Sequence, residues 1–152
     1  MTDATSTTKI ELLTFRLADQ EYALDIMSVR EIRGWTHATP LPHAPHFMKG
    51  VINLRGTVLP VMDLALRLGL PAREQNERNV IIVVNLEDVQ TGLLVNAVSD
   101  IVALSHDELQ APPQQDVNSD DNVVSALSLV EDRMIRVLNL QATVNGRQGL
   151  AA

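Results

Sequence analysis

Three histidines, His37, His43 and His46, fall in one short stretch. Three neutral imidazoles can hold Zn²⁺ and leave a fourth position for water, so this is where a small metal-dependent hydrolase would keep its centre. The spacing speaks against it. Pro40, Pro42 and Pro45 break the stretch, so the imidazoles do not share a helix face at i, i+4. No carboxylate lies between Trp35 and Met62 to complete or orient the set. Other chemistry is fainter still. Ser28, Ser99, Ser105 and Ser125 lack a nucleophile-elbow context, and the scattered glycines form no phosphate loop. Asp120 and Asp121 sit in a polar run, where a solvated pair is the simpler reading. The expectation is a protein that is not an enzyme, with no catalytic residues, no metal and no cofactor.

Arg55 asks a different question. In "GVINLRGTVLPVMDL", two apolar runs meet at Arg55-Gly56. Such a turn is exposed, and Gly56 supplies its backbone freedom. A guanidinium there presents five donors in a planar fork, suited to a carboxylate or a protein interface. An ordinary solvated turn arginine fits the residues equally well.

The elements around these residues are short. "LLTFRL" and "EYALDI" predict a hairpin about Ala18-Asp19-Gln20, with Leu13, Phe15 and Leu17 on one face. "DIMSVREIRG" reads as a short helical piece ending at Gly34. "VINL" and "TVLPVMDL" predict strands, and "LALRLGL" a helical turn. "VIIVVNL" and "TGLLVNAV" predict a second hairpin, and "VVSALSLV" and "RMIRVLNL" a last one about Glu131-Asp132. Ser105 and Glu108 carry a capping-box pattern for a short helix. The run from Ala111 to Asn122 is expected to be a mobile polar loop.

Composition narrows the class. Hydrophobic residues make up 45% of the 152 residues, but aromatics only 3%, so the core must be aliphatic. Without cysteine there is neither a disulfide framework nor a thiolate metal site. No apolar run approaches a membrane span, and the polar start has no signal-peptide pattern, so a cytoplasmic location without membrane insertion is expected. Between Arg78 and Arg133 there is no Lys or Arg, only acidic residues from Glu87 to Asp132. That half would repel a phosphate backbone and suits a basic partner surface or simple solvation. An OB- or SH3-like module for nucleic acid or another ligand is permitted by the strand pattern. The charge and the scarcity of aromatics argue against nucleic acid.

An internal repeat shapes the fold expectation. "FRLADQEYALDIMSVREI" aligns without a gap on "VNLEDVQTGLLVNAVSDI". Leu17, Asp19, Leu24, Val29 and Ile32 then coincide with Leu86, Asp88, Leu93, Val98 and Ile101. Short strands, tight turns and a duplication together predict an all-β chain of small barrels.

The segments "FRLADQEYALDIMSVREIRG", "FMKGVINLRGTVLPVMDL" and "VEDRMIRVLNL" resemble the CheW-type chemotaxis coupling proteins, from about Leu13 to Leu140. "KGVINLRG…P…DL" is the most specific piece. The resemblance implies two SH3-like five-stranded β-barrels packed side by side, with short helical turns. It implies residues 1–12 as a flexible tail, 13–140 as one domain of two subdomains divided near 70–80 with strands that can interleave, and 141–152 as a short tail. Members of that family often carry a longer C-terminal helix than "QATVNGRQGLAA" suggests. The function implied is a non-enzymatic adaptor between chemoreceptor cytoplasmic tips and the regulatory domain of the histidine kinase CheA, held at membrane receptor arrays through its partners. Receptor contact would fall on Val29, Glu31, Asn53 and Arg55, with Glu31 as the partner of Arg55 in a groove between the barrels. Kinase-contact residues stay unassigned.

Overall fold

The computed structural model describes residues 9–70, 79–111 and 123–145. Ten strands dominate: β1 (Lys9–Leu17), β2 (Gln20–Asp25), β3 (Val29–Gly34), β4 (Met48–Leu54), β5 (Thr57–Asp63), β6 (Val80–Leu86), β7 (Val89–Val95), β8 (Ala97–Ser105), β9 (Val124–Val130) and β10 (Arg133–Leu138). Two short helices follow β5 and β10: α1 (Leu64–Arg67) and α2 (Leu140–Asn145). The strands form two five-stranded sheets, β8-β1-β2-β10-β9 (barrel I) and β3-β6-β7-β5-β4 (barrel II).

The two sheets have one topology, and each borrows from both repeats. The hairpin β1–β2 sits in barrel I with β8, β9 and β10, while β6–β7 sits in barrel II with β3, β4 and β5. Register confirms the equivalence. In barrel I, Leu13 faces Ile101 and Phe15 faces Val98. Shifting each residue by the repeat spacing gives Ile82 facing Ile32 and Val84 facing Val29, the pairs found in barrel II. Both ladders carry an irregularity at the same place, between Leu13 and Phe15 and between Val29 and Glu31. The parallel pairings β10–β2 and β5–β7 correspond as well. A boundary near 70–80 therefore does not separate the barrels, because β1 and β2 complete their sheet with strands from the far end of the chain.

Side-chain alternation explains the packing. In β6, Ile81 and Val83 fill barrel II with Ile52, Leu54, Leu59, Val61 and Leu94. Ile82 and Val84 point the other way, into a core shared between the barrels with Leu13, Phe15, Leu17, Leu24, Met62 and Leu93. A strand buried on both faces reads as an unbroken apolar run, as "VIIVVNL" does. Each such side chain contributes roughly 1.5–3 kcal/mol on leaving water. Barrel I has the smaller interior, built on Leu12, Ala23, Leu104, Ile135 and Val137.

Four expectations need correction. Lys9 to Leu12 belong to β1 rather than to a tail, since they pair with β8. "VREIRG" is a strand, not a helix. Only Ile26–Ser28 form a single 3-10 turn, capped by the Asp25 carboxylate accepting from the Met27 N–H at 2.9 Å. Pairing with β6 offers the following residues a full ladder, which outweighs a weak helical pattern. The third piece of the second repeat is likewise a strand, β8. Finally, the chain after Leu140 is helical for a turn and a half. Asn139 caps α2 by accepting from Ala142 N–H at 3.1 Å, as Asp63 caps α1 by accepting from Leu66 N–H at 3.2 Å. The Asp/Asn-Leu endings of "LPVMDL" and "IRVLNL" are thus equivalent helix caps. Arg67 of α1 donates to the Thr143 and Ala142 carbonyls at 2.9 Å each, which ties α2 down. The polar loop expected at Ala111–Asn122 lies outside the described residues beyond Ala111.

The strap after β3 closes barrel II. Thr39 and Val51 exchange two backbone hydrogen bonds, 2.8 and 2.9 Å long. Gln110 and Leu127 do the same in barrel I. Gly50 makes the first approach possible. Its φ is +141°, and a Cβ there would lie 2.1 Å from the Thr39 carbonyl oxygen. Gly50→Ala is expected to cost on the order of 2 kcal/mol or more, through strain and the displaced strap. Gly56→Ala, with nothing within 4 Å of its Cβ position, costs only the ~1 kcal/mol of a left-handed backbone. Urea unfolding of the two variants measures both, and equal losses would contradict the clash.

Candidate functional site

Arg55 and Gly56 form the two-residue turn between β4 and β5, with φ of +52° and +86°. Positive φ at both positions is the geometry that lets a two-residue loop follow the twist of its strands. The Asn53 side-chain oxygen accepts from the Gly56 N–H at 2.8 Å and stiffens the turn. Arg55 therefore leaves a fixed point, and 67% of its side chain remains exposed.

Its fork grips Glu31. One Arg55 amine donates to Glu31 Oε1 at 2.6 Å and the other to Oε2 at 3.5 Å. Arg33 donates to Oε2 at 3.1 Å. The Arg55 hydrogen bonds, then those from Arg33, hold the Glu31 carboxyl below the usual glutamate range. Glu31 and the β4–β5 turn belong to opposite edges of one sheet. Their contact spans the seam where barrel II closes on itself, rather than a groove between the two barrels. The structure thus brings Glu31, Asn53 and Arg55 together. Val29 is placed differently: half-buried on β3, it packs against the shared core beneath them.

Three neighbours were not singled out from sequence. Arg33 shares the β3 face of Glu31, two residues on, a relation visible only once the segment is read as a strand. Val58, cross-strand from Asn53, is 68% exposed, and Ile32 is 46% exposed. Val58 lies beside the turn, whereas Ile32, between Glu31 and Arg33 on β3, faces the opposite side of the strand.

Barrel I carries an equivalent carboxylate. Asp100 occupies in the second repeat the place of Glu31 in the first. Its cation comes from elsewhere, Arg133 at the start of β10. Arg133 donates to both oxygens of Glu21, from Nε at 3.0 Å, and reaches Asp100 at 3.4 Å. The fully buried Thr14 hydroxyl donates to the Asp100 side chain and also to its carbonyl. The network stitches β1, β2, β8 and β10 together. The Thr14 hydrogen bond, aided by Arg133, keeps the Asp100 carboxyl below the usual aspartate range.

With this geometry in hand, comparison with known proteins is decisive. The family model described as CheW-like domain matches residues 11–148. The chain is 45% identical over 142 residues to the chemotaxis protein CheW of Rhizobium meliloti (strain 1021), covering 93% of this chain and 92% of that protein. It is 30% identical over 138 residues to that of Klebsiella aerogenes, covering 91% and 83%. A crystal structure of the scaffolding protein TtCheW from Thermoanaerobacter tengcongensis superposes with a TM-score of 0.82 at 31% identity, covering 91% of this chain and 96% of that one.

The chain belongs to the CheW-like family. It is accordingly a chemotaxis adaptor of scaffolding type and not an enzyme, and its two sheets are the SH3-like barrels of that fold. For a CheW-like chain the histidines take a modest place. His37 packs edge-to-face on Trp35 at 4.4 Å between centroids, and His46 on Phe47 at 5.5 Å. Among the described residues no three His, Asp or Glu side chains group closely enough to hold a metal ion. Among the same residues no helix is long and apolar enough to cross a membrane.

The Asp100 network gives the fold an acid-sensitive element. A carboxyl whose pKa is lowered on folding stabilises the native state above its unfolded pKa of about 3.9, and that contribution disappears as pH falls through the folded value. Asp100→Asn should therefore lower the thermal midpoint at pH 7, and the gap to the parent should close as pH drops below about 4. A gap that stays constant from pH 7 to pH 3 would show that shape, not charge, carries the contact.

Proposed function

We propose that this CheW-like chain couples the cytoplasmic tips of chemoreceptors to the histidine kinase CheA, working in the cytoplasm at membrane receptor arrays. The observation that supports the reading is the two-pronged Arg55–Glu31 contact on a turn locked by Asn53. A receptor tip is helical, and a helix needs an apolar strip with polar anchors beside it. Val58, cross-strand from Asn53, offers apolar area next to Arg55, and Val29 anchors β3 by packing against the shared core. Glu31 orients the guanidinium before a partner arrives, so less side-chain entropy is lost on binding. Val29, Glu31, Asn53 and Arg55 form the receptor surface in this proposal. The kinase regulatory domain engages another face, so that one adaptor holds both partners at fixed spacing.

In such a system the adaptor performs no chemistry. It transmits a change in the receptor tip by favouring one of two kinase states through shared contacts. Arg55→Glu tests the assignment. The variant meets Glu31 with a second carboxylate, yet circular dichroism and thermal midpoint should change little, because the turn is exposed. Receptor-tip binding should fall on the order of thirtyfold or more, as for a central interface arginine. Arg55→Lys should weaken binding too, since an ammonium cannot span both oxygens of a carboxylate. Binding of the kinase regulatory domain should survive both changes. Normal receptor binding by Arg55→Glu would refute the site, and unfolding would make Arg55 a structural residue.

A further inference from the structure

At the end of barrel II remote from Arg55, the described residues leave a recess. Lys49 is the second residue of the strand that leads to Arg55, which places the two roughly 20 Å apart at about 3.3 Å per residue. A cavity of about 220 Å³ enters the barrel there. Its floor is Val61, Ile81 and Leu94, which are 2%, 0% and 5% exposed and belong to the barrel's own core. Trp35 and His37, locked edge to face, line the strap side. Lys49 is the one ammonium in the lining. Among the described residues no carboxylate pairs with it.

The walls are held in place. The two hydrogen bonds between Thr39 and Val51 pin the strap, and Gly50 lets the backbones touch. The floor cannot rise without breaking the core. The volume is below the ~300 Å³ at which drug-sized sites begin, so it admits one ring or a short alkyl chain. A neutral hydrocarbon would leave the Lys49 charge unanswered. A dicarboxylate or a phosphate ester would push charge against the apolar floor, which is costly. One negative group on a compact apolar body satisfies both ends of the cavity.

We propose that the mouth of barrel II binds a small apolar monocarboxylate, with its hydrocarbon on Val61, Ile81 and Leu94 beside Trp35 and its carboxylate at Lys49. The site is separate from the Arg55 turn and stands or falls independently of receptor coupling.

Trp35 is the only tryptophan of the chain and reports on the cavity directly. Benzoate titrated into the full-length protein should change its fluorescence saturably, with half-saturation on the order of millimolar, as expected for so small a ligand. Benzyl alcohol, similar in shape but neutral, should bind several-fold more weakly. Lys49→Gln should reduce benzoate affinity about tenfold and leave benzyl alcohol unchanged. Ala38→Leu, which adds bulk to the lining, should weaken both ligands, while Arg55→Glu should affect neither. Absence of saturable binding overturns the proposal. So does benzoate binding that Lys49→Gln and Ala38→Leu leave intact, or that Arg55→Glu removes, because the signal then arises elsewhere.

Discussion

Strand exchange between the repeats is the constraint on which the rest depends. β1 finds its outer partner in β8, and β3 finds its own in β6. Neither repeat can complete a barrel from its own strands. Each supplies a hairpin to one barrel and three strands to the other. The link is reinforced by the shared core, where Leu13 and Phe15 of one hairpin meet Ile82 and Val84 of the other. Barrels joined this way cannot separate without losing sheet hydrogen bonds and apolar burial together. The fold therefore has to assemble through contacts distant in sequence, such as Lys9 with Ser105, whose loop-closure cost precedes their reward.

This constraint gives the Arg55 turn its stiffness. Glu31 stands on β3, which β6 of the other repeat holds in register. Arg55 stands on the hairpin at the opposite edge of that sheet. Their contact exists because the sheet curls until its edges meet, and the Thr39–Val51 strap fixes that curvature. An adaptor that relays a small change in a partner gains from such rigidity. A floppy turn would absorb the change in its own rearrangement, whereas a closed barrel passes it on.

Much of this was legible in the residues. Alternation marked the hairpins, two-residue turns marked their ends, and the aligned repeat blocks announced two related units. The resemblance puts Glu31 and Arg55 in one candidate set, and their pairing follows from opposite charge, not from spacing, since they lie in different elements. What misled was local. "DIMSVREIRG" has an apolar spacing that a helix or a strand can use, and only the availability of the β6 edge decides between them. The same ambiguity hid Arg33. The resemblance allowed for interleaved strands, but which strands exchange was not readable. Duplication says that two hairpins are alike, but which sheet the third strand joins depends on long-range pairing, and apolar faces on both sides of β6 allow either choice. Whether the C-terminal helix is shortened or lost was not decidable in advance, because the stabilisation of α2 is tertiary. Leu140 is buried in the shared core and Arg67 holds the carbonyls of Ala142 and Thr143, features of another part of the chain.

The repeats also show how one inherited position came to serve two ends. Glu31 and Asp100 occupy equivalent places on β3 and β8, each beside the seam of its barrel. At Glu31 the cation arrives from a hairpin tip and stays largely in solvent. At Asp100 it comes from Arg133, the first residue of β10, and is shared with the nearly buried Glu21, while the buried Thr14 hydroxyl holds the carboxylate. The turn equivalent to Arg55-Gly56 is Glu131-Asp132, with the same left-handed backbone and opposite charge. A cation there would have been displayed; the acidic pair instead leaves Asp100 to Arg133 at the start of β10. In barrel I the charge is consumed in joining four strands, and in barrel II it stays exposed at a hairpin tip. Pseudo-symmetry thus supplied two copies of a carboxylate at a barrel seam, and the source of the guanidinium decided which became structure and which became surface.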